Sequence, residues 1–244
     1  MKTPKYLSQL GITLSLIFIT SCAVNPVSGK KQVVFMTEGQ EIAMGQQSDP
    51  EVISFFGLYD DPDLQKFITD KGNELAAVSH RPKLAYEFKI VDSPVINAFA
   101  VPGGYIYFTR GIMAHFNNEA EFAGVLGHET GHITARHSVI QQRNSMLSQL
   151  GLIASVILVP GLTQFIEPLS QGMQLAMLSF GRDDEREADK LGVEYSSRIG
   201  YNATEMAGFF ETLERKGAGT GSEEIPEFYQ LTLHRPKEMS LLPS

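Results

Sequence analysis

His128-Glu129-Thr130-Gly131-His132 is the stretch whose residue types and spacing could do chemistry. Two imidazoles four residues apart fall on one face of a helix, one turn apart, and aim at a common point. Two neutral imidazoles so placed can bind a divalent cation, and zinc is the usual occupant. Glu129 lies about 100° round the helix from His128. That is too far to join the same ligand set easily, but within reach of a water activated at the metal. The pattern is a metal-plus-base arrangement, to be weighed against five-residue matches in which such histidines only cap or pack. Gly131 keeps the face beside the metal slim, and acidic candidates for a third ligand lie downstream.

The elements that must position this stretch can be read around it. Asn118 with Glu121 reads as a capping box, and Phe122, Val125 and Leu126 recur at helical spacing. A helix inside residues 118–149 therefore carries the motif. Ahead of it, Leu84, Tyr86, Phe88 and Ile90 alternate with Ala85, Glu87 and Lys89, a half-buried strand. Val95 to Val101 and Tyr105 to Thr109 are two more apolar runs, separated by the turn-forming Pro102-Gly103-Gly104. A small sheet should precede the metal helix. Further upstream, Thr37 with Gln40 opens a helix expected to stop near Gln47, because Asp49-Pro50 should break it. Asp61-Pro62 starts another, running to about Val78 with Leu64, Phe67, Ile68, Leu75 and Ala76 inward.

Downstream, Leu150 to Val159 is strongly apolar and is stopped by Pro160-Gly161. Ten such residues are too few to cross a bilayer, which favours a helix buried against the metal helix over a membrane-touching lid. Leu162 to Phe180 has helical character, its methionines reading as core filler. The acidic run Asp183 to Asp189 then leads into a helix packed through Ala188, Leu191, Gly192 and Tyr195 and ending near Gly200. If that helix starts in the run, Asp184 and Glu187 fit the two ends of a capping box. Glu185 and Asp189 remain, four apart on one flank of the packed face, whereas Asp183 and Glu187 point more to solvent. A solvated acidic run is the competing reading; it loses because a two-histidine site needs a third protein ligand. Asn202 to Arg215 is one more helix, with Phe209, Phe210 and Leu213 towards the core.

With 244 residues, 43% hydrophobic and 20% charged, the chain is one ordinary globular domain, with room for a small appendage. A net charge of −8 argues against a nucleic-acid partner, which would call for a basic face. Lys2 and Lys5 followed by the apolar run Leu7 to Ile19 form a signal sequence, and Ile19-Thr20-Ser21-Cys22 resembles a bacterial lipobox. Residues 1–21 are then a cleaved leader, Cys22 carries the lipid, and Ala23 leans towards the outer membrane. Cys22 is the only cysteine, so no intramolecular disulfide can form. Residues 22–36 read as a tether, 37–216 as the main domain, and 217–244 as a Gly-rich linker and tail.

His128-Glu129-Thr130-Gly131-His132 followed by Glu185-Arg186-Glu187-Ala188-Asp189-Lys190-Leu191-Gly192 resembles the HtpX/BepA/LoiP type of zinc metalloendopeptidase, relatives of the CAAX prenyl proteases. The match is closest to their lipid-anchored periplasmic branch. Cys22 with Asn25-Pro26-Val27-Ser28-Gly29-Lys30, Asn97 to Gly104, and Arg136-His137 extend it. The resemblance implies an α+β fold, a mainly helical zincin-like domain with a small β-sheet ahead of the HExxH helix. It implies one Zn2+ per chain on His128, His132 and Glu185, Glu129 as general base, and Asp189 orienting a ligand histidine. It also implies that Asn97, Ala98, Phe99 and Ala100 form an edge that receives protein substrate as an added strand. The implied substrates are unfolded or stalled envelope proteins, met at the periplasmic face of the membrane.

Three points stay open at this stage. His234 stands where relatives carry a zinc-approaching histidine, but Leu233, Arg235 and Ser240 depart from their pattern, so a gating or fourth ligand competes with a solvated loop histidine. Arg136, His234 and Arg235 are candidates for a second oxyanion contact. His137 lies roughly 180° from His128 on a helix wheel and is read as structural. The competing function is a zinc-containing, chaperone-like outer-membrane assembly factor with little turnover. A purely structural zinc site would normally show four closed, cysteine-rich ligands.

Overall fold

The computed structural model describes residues 21–145, 180–202 and 205–209. A hairpin opens this part: β1 (Ser21–Val24) pairs antiparallel with β2 (Lys31–Val34), with Cys22 opposite Val33. Asn25 closes its turn, accepting on Oδ1 from the backbone N–H groups of Val27 (2.8 Å) and Ser28 (2.9 Å). Its Nδ2 donates to the carbonyl of Ala135 at 3.3 Å, 110 residues away. Residues 25–30, expected as a turn-rich tether, form that turn and are anchored on the domain through Asn25.

The first helix, α1 (Glu38–Phe56), starts as the sequence predicts: Thr37 and Gln40 make both bonds of a capping box. It does not stop before Asp49-Pro50, however, but runs through Pro50 to Phe56. An interior proline costs a helix about 3 kcal/mol, so tertiary contacts must outweigh it here. They are visible on both sides of Pro50. The Asp49 carboxylate takes Lys89 Nζ at 2.6 Å and the Tyr107 hydroxyl at 2.7 Å, and Val52 is fully buried. Helix α2 (Pro62–Val78) has Asp61 as its cap, accepting from Leu64 N–H at 3.0 Å, and proline at its first position.

Strands β3 (Glu87–Val91), β4 (Ala98–Val101) and β5 (Tyr105–Thr109) form a three-stranded sheet of order β3-β5-β4. β3 runs parallel to β5 and β4 antiparallel, with Ala98 opposite Phe108 and Ala100 opposite Ile106. β5 coincides with its apolar run, whereas β3 starts at Glu87, after Leu84, and β4 at Ala98, after Val95. Pro94 has no N–H to give a ladder, and Thr109 Oγ1 takes over for the residues after it. It donates to Val95 carbonyl at 2.5 Å and accepts from Asn97 N–H at 3.1 Å.

Side-chain alternation splits the sheet into two buried faces. Phe88, Ile90, Ala98, Ala100, Ile106 and Phe108 join α2 and the later helices in the larger core. Val91, Phe99, Val101 and Tyr107 pack with Val52 of α1 on the other side. After the short α3 (Arg110–Met113) comes α4 (Glu119–Ala135), against which α5 (Arg182–Arg198) packs closely. The domain is thus α+β, mainly helical, with the small sheet ahead of the motif helix. Residues 205–209 are helical and bring Met206 and Phe209 into the same core, as expected for Phe209. The apolar segments 150–159 and most of 162–180, together with Phe210, Leu213 and the tail, lie outside the described residues. Among the described residues no helix is long and apolar enough to cross a membrane.

Candidate metal centre

Helix α4 holds the motif because its neighbours fix both ends. Asn118 Oδ1 accepts from Glu121 N–H at 2.9 Å, as a cap should. The Glu121 carboxylate reaches one residue further back than a capping box requires, to Asn117 N–H at 2.8 Å. From Glu121 to Ala135 every residue is buried. At the far end Arg136 turns into the left-handed region (φ 62°, ψ 35°), where its N–H caps the carbonyls of His132 and Ile133. Ile133 carbonyl also accepts from Arg81 Nη1 at 3.0 Å, and Ala135 carbonyl from Asn25. The orphan carbonyls of a buried helix end are thereby satisfied.

Two glycine contacts set how closely α5 approaches. A Cβ on Gly127 would stand 2.8 Å from the Gly192 carbonyl, and one on Gly131 would meet Leu191 Cβ at 3.0 Å and Ala188 Cα at 3.2 Å. Only at this distance can carboxylates on α5 reach imidazoles on α4. The acidic run accordingly divides by role. Its helix begins at Arg182, and Asp184 reaches back to Gly181 N–H at 3.4 Å, so Asp184 serves the far end of the cap and not the cap position itself. Glu185 and Asp189 turn inward to the motif histidines, and both are buried. Glu187, which the capping-box reading had placed elsewhere, reaches His137 Nε2 at 3.2 Å.

His128, His132 and Glu185 form a group able to hold a metal ion. His128 Nε2 and His132 Nε2 are 3.0 Å apart, His128 Nε2 and Glu185 Oε2 3.5 Å, and His132 Nε2 and Glu185 Oε1 3.8 Å. Ligands on a tetrahedral zinc, at about 2.1 Å each, stand about 3.4 Å from one another. The three separations bracket that value. Both carboxylate oxygens of Glu185 are buried without a hydrogen-bond partner. An ionised carboxylate so placed is costly unless a cation meets it. The hydroxyls of Thr130 and Thr134, also buried on α4, are spent on ordinary bonds to Leu126 carbonyl (2.8 Å) and Gly131 carbonyl (3.1 Å). The residues present therefore fit a zinc ion.

The electrostatics agree with that fit. Burial works against charging His128, yet the carboxylates of Asp189 (3.0 Å from Nδ1) and Glu185 outweigh it and hold its proton well above the ordinary imidazole value. That proton is the one an arriving cation displaces. Burial, helped by the neighbouring His128, holds His132 well below the ordinary value. Glu129 is buried beside them, and burial pushes it up to about 7.

Two residues around His132 were not found by sequence reasoning. Phe180 lies on its ring, centroids 4.2 Å apart and nearly parallel. His137 Nδ1 is 3.0 Å from His132 Nδ1. The wheel argument that set His137 aside assumed an unbroken helix, and the left-handed Arg136 breaks it. Arg136 itself is drawn away from any oxyanion role: Nε donates to Glu41 Oε2 at 2.9 Å and Nη2 to Met36 carbonyl at 3.2 Å. Asn97 precedes β4, which carries Ala98, Phe99 and Ala100 along one margin of the sheet and beside α4. Those three side chains are buried. His234 and Arg235 lie outside the described residues.

Comparison with known proteins adds an independent line. The pattern of Peptidase family M48 matches residues 62–239. The beta-barrel assembly-enhancing protease of Escherichia coli (strain K12) is 29% identical over 205 residues, covering 80% of this chain and 42% of that protein. The Yersinia pestis protein of the same name is 31% identical over 182 residues, covering 71% and 37%. The mitochondrial metalloendopeptidase OMA1 of Arabidopsis thaliana is 32% identical over 161 residues, covering 66% and 32%. The chain spans about two fifths, or less, of the length of these curated relatives.

Proposed function

The chain belongs to peptidase family M48, and from that premise we propose that it is a zinc-dependent endopeptidase with Glu129 as its catalytic base. The observation that carries this reading is the buried trio of His128, His132 and Glu185, whose carboxylate oxygens have no hydrogen-bond partner, with Glu129 buried beside it. One Zn2+ held by that trio supplies, when bound, a Lewis acid that polarises a peptide carbonyl and acidifies water.

The chain's own residues do the rest. Glu129 takes the proton of the attacking water and delivers it to the leaving amine, and burial, which raises its hold on a proton, suits one carboxyl to both directions. Asp189 accepts the Nδ1–H of His128, which leaves the Nε2 lone pair for the cation. Asn97, Ala98, Phe99 and Ala100 receive the substrate as an added strand. Main-chain pairing of that kind reads backbone, tolerates many sequences, and suits unfolded substrates.

The substrates are unfolded or misfolded envelope proteins. The relatives named beta-barrel assembly-enhancing protease are bacterial, which is compatible with a periplasmic protein; the lipobox-like stretch ending at Cys22 supports a lipid anchor at the outer membrane once residues 1–21 are removed. The competing function, a chaperone-like factor that holds clients without cutting them, has no use for a base buried beside the trio.

Casein incubated with the purified protein separates the two. The protease reading expects fragments, their loss with a zinc chelator, and recovery on adding zinc back. Suppressed aggregation of an unfolded client with no fragments at any zinc concentration would establish the holding factor instead.

A further inference from the structure

His128 and His132 are held by different devices, and the second leads outside the site described so far. His128 Nδ1 meets the Asp189 carboxylate directly at 3.0 Å. His132 Nδ1 meets another histidine, His137, and the far nitrogen of that ring, Nε2, meets the Glu187 carboxylate at 3.2 Å. We infer that His137 and Glu187 are positioning residues for the second metal-binding histidine, a relay that fixes the tautomer and ring angle of His132. The inference rests on the zinc reading above.

Donors and acceptors along the relay fix where each hydrogen lies. An ionised carboxylate only accepts, so His137 Nε2 must carry a hydrogen to bond with Glu187. A neutral His137 then has a lone pair on Nδ1, and the 3.0 Å contact can form only if His132 Nδ1 carries the hydrogen. That leaves the lone pair of His132 on Nε2, facing His128 Nε2 and Glu185. The relay therefore does for His132, over two bonds, what Asp189 does for His128 over one. Asp184 Oδ1, 3.8 Å from His137 Nε2, adds negative charge on the same side without a bond. Phe180 lies against His132 and, at 6.0 Å between centroids, beside His137, so water has poor access to the relay.

The local backbone explains how His137 comes within reach. In a continuous helix it would lie well round from His132. The left-handed turn at Arg136 brings it back, and the Glu41 bond to that arginine holds the turn in place. One stretch of α5 thus provides a ligand and both anchoring carboxylates, Glu185, Glu187 and Asp189.

The test measures zinc affinity by competition with a chromophoric chelator in the full chain. The variants are His137→Leu, His137→Asn, Glu187→Ala and Glu187→Gln, each with its melting temperature. Loss of such an outer partner weakens metal binding about 10- to 100-fold. His137→Leu should fall in that range and Glu187→Ala near its lower end. His137→Asn, whose amide oxygen accepts in place of Nδ1, and Glu187→Gln, which keeps an acceptor, should each recover most of the loss. Imidazole 15N spectra of the zinc-loaded wild type should give His132 a hydrogen on Nδ1. Glu187 is partly exposed, so its variants remain informative if His137→Leu fails to fold. Wild-type affinity in His137→Leu and Glu187→Ala, beside a wild type that binds zinc and cuts, overturns the relay alone. So does a loss that follows melting temperature and is not recovered by Asn and Gln. A wild type that binds no zinc overturns the zinc reading and the relay with it.

Discussion

A neutral imidazole that gives its Nε2 lone pair to a cation must keep its proton on Nδ1, so the partner of Nδ1 decides whether the ring can serve. For His128 that partner is Asp189, at 3.0 Å. Asp189→Asn keeps the shape and loses the charge; it should weaken zinc binding about tenfold, with little change in melting temperature, as chelator competition and a thermal melt would show. The grouping of His128 and His132 with Glu185 and Asp189 was legible, because helical spacing put the two histidines on one face and left those two acids on the inward flank of the next helix. His137 and Phe180 were not. His137 depends on one left-handed residue, and arginine at position 136 carries none of the glycine signal that usually announces such a turn. Phe180 reaches His132 from just ahead of α5, a contact that no local pattern encodes.

At the scale of elements, the site depends on how closely α4 and α5 cross. Gly127 and Gly192 touch backbone to backbone, the Gly127 Cβ position lying 2.8 Å from the Gly192 carbonyl. Neither is a side-chain end that could swing aside. Gly127→Ala should therefore push α5 outward, cost about 1–3 kcal/mol in urea unfolding, and weaken zinc binding, because Glu185 and Asp189 move with α5. Unchanged stability and affinity in that variant would show that the crossing does not position the carboxylates. The starts of α1, α2 and α4 were legible, since Thr37, Asp61 and Asn118 announce themselves by side-chain chemistry. The end of α1 was not. Pro50 signals a break, and only the partners Lys89 and Tyr107 of Asp49, about 40 and 58 residues on, override it. The hairpin of β1 and β2 was hidden for the same reason: Asn25 reads as a turn residue, and its anchor at Ala135 is distant.

Over the whole molecule, Glu41 ties three parts of the chain together. Its carboxylate, 1% exposed, receives Arg81 Nη1 at 2.7 Å and Arg136 Nε at 2.9 Å, linking α1, the segment after α2 and the end of α4. Glu41→Ala takes the acid from the buried Arg136 and leaves Arg81 only the exposed Glu38, 3.7 Å away; breaking such a cluster from one side typically costs about 3–5 kcal/mol. A thermal melt should show a large drop. Tyrosines set a second global property. Burial pushes Tyr86 up to about 12 and holds Tyr107 and Tyr195 above the usual phenol value as well. A phenol whose folded pKa is raised favours the fold while it is neutral. The contribution is therefore complete below about pH 10 and is lost as pH rises through the folded value. Each such group should steepen the loss of stability by about 1.4 kcal/mol per pH unit in that window. Urea unfolding between pH 9 and about 12 should show the decline, and Tyr86→Phe should make it shallower. An identical pH dependence in that variant would remove Tyr86 from the cause.

In the proposed mechanism Glu129 acts on a substrate beside a zinc ion held by His128, His132 and Glu185. The most direct measurement compares wild type with Glu129→Gln for bound zinc and for casein cleavage in the same preparations. About one zinc per chain is expected in both proteins, with cleavage by the wild type alone. Cleavage by Glu129→Gln at the wild-type rate, or a freshly purified wild type without zinc, would contradict it.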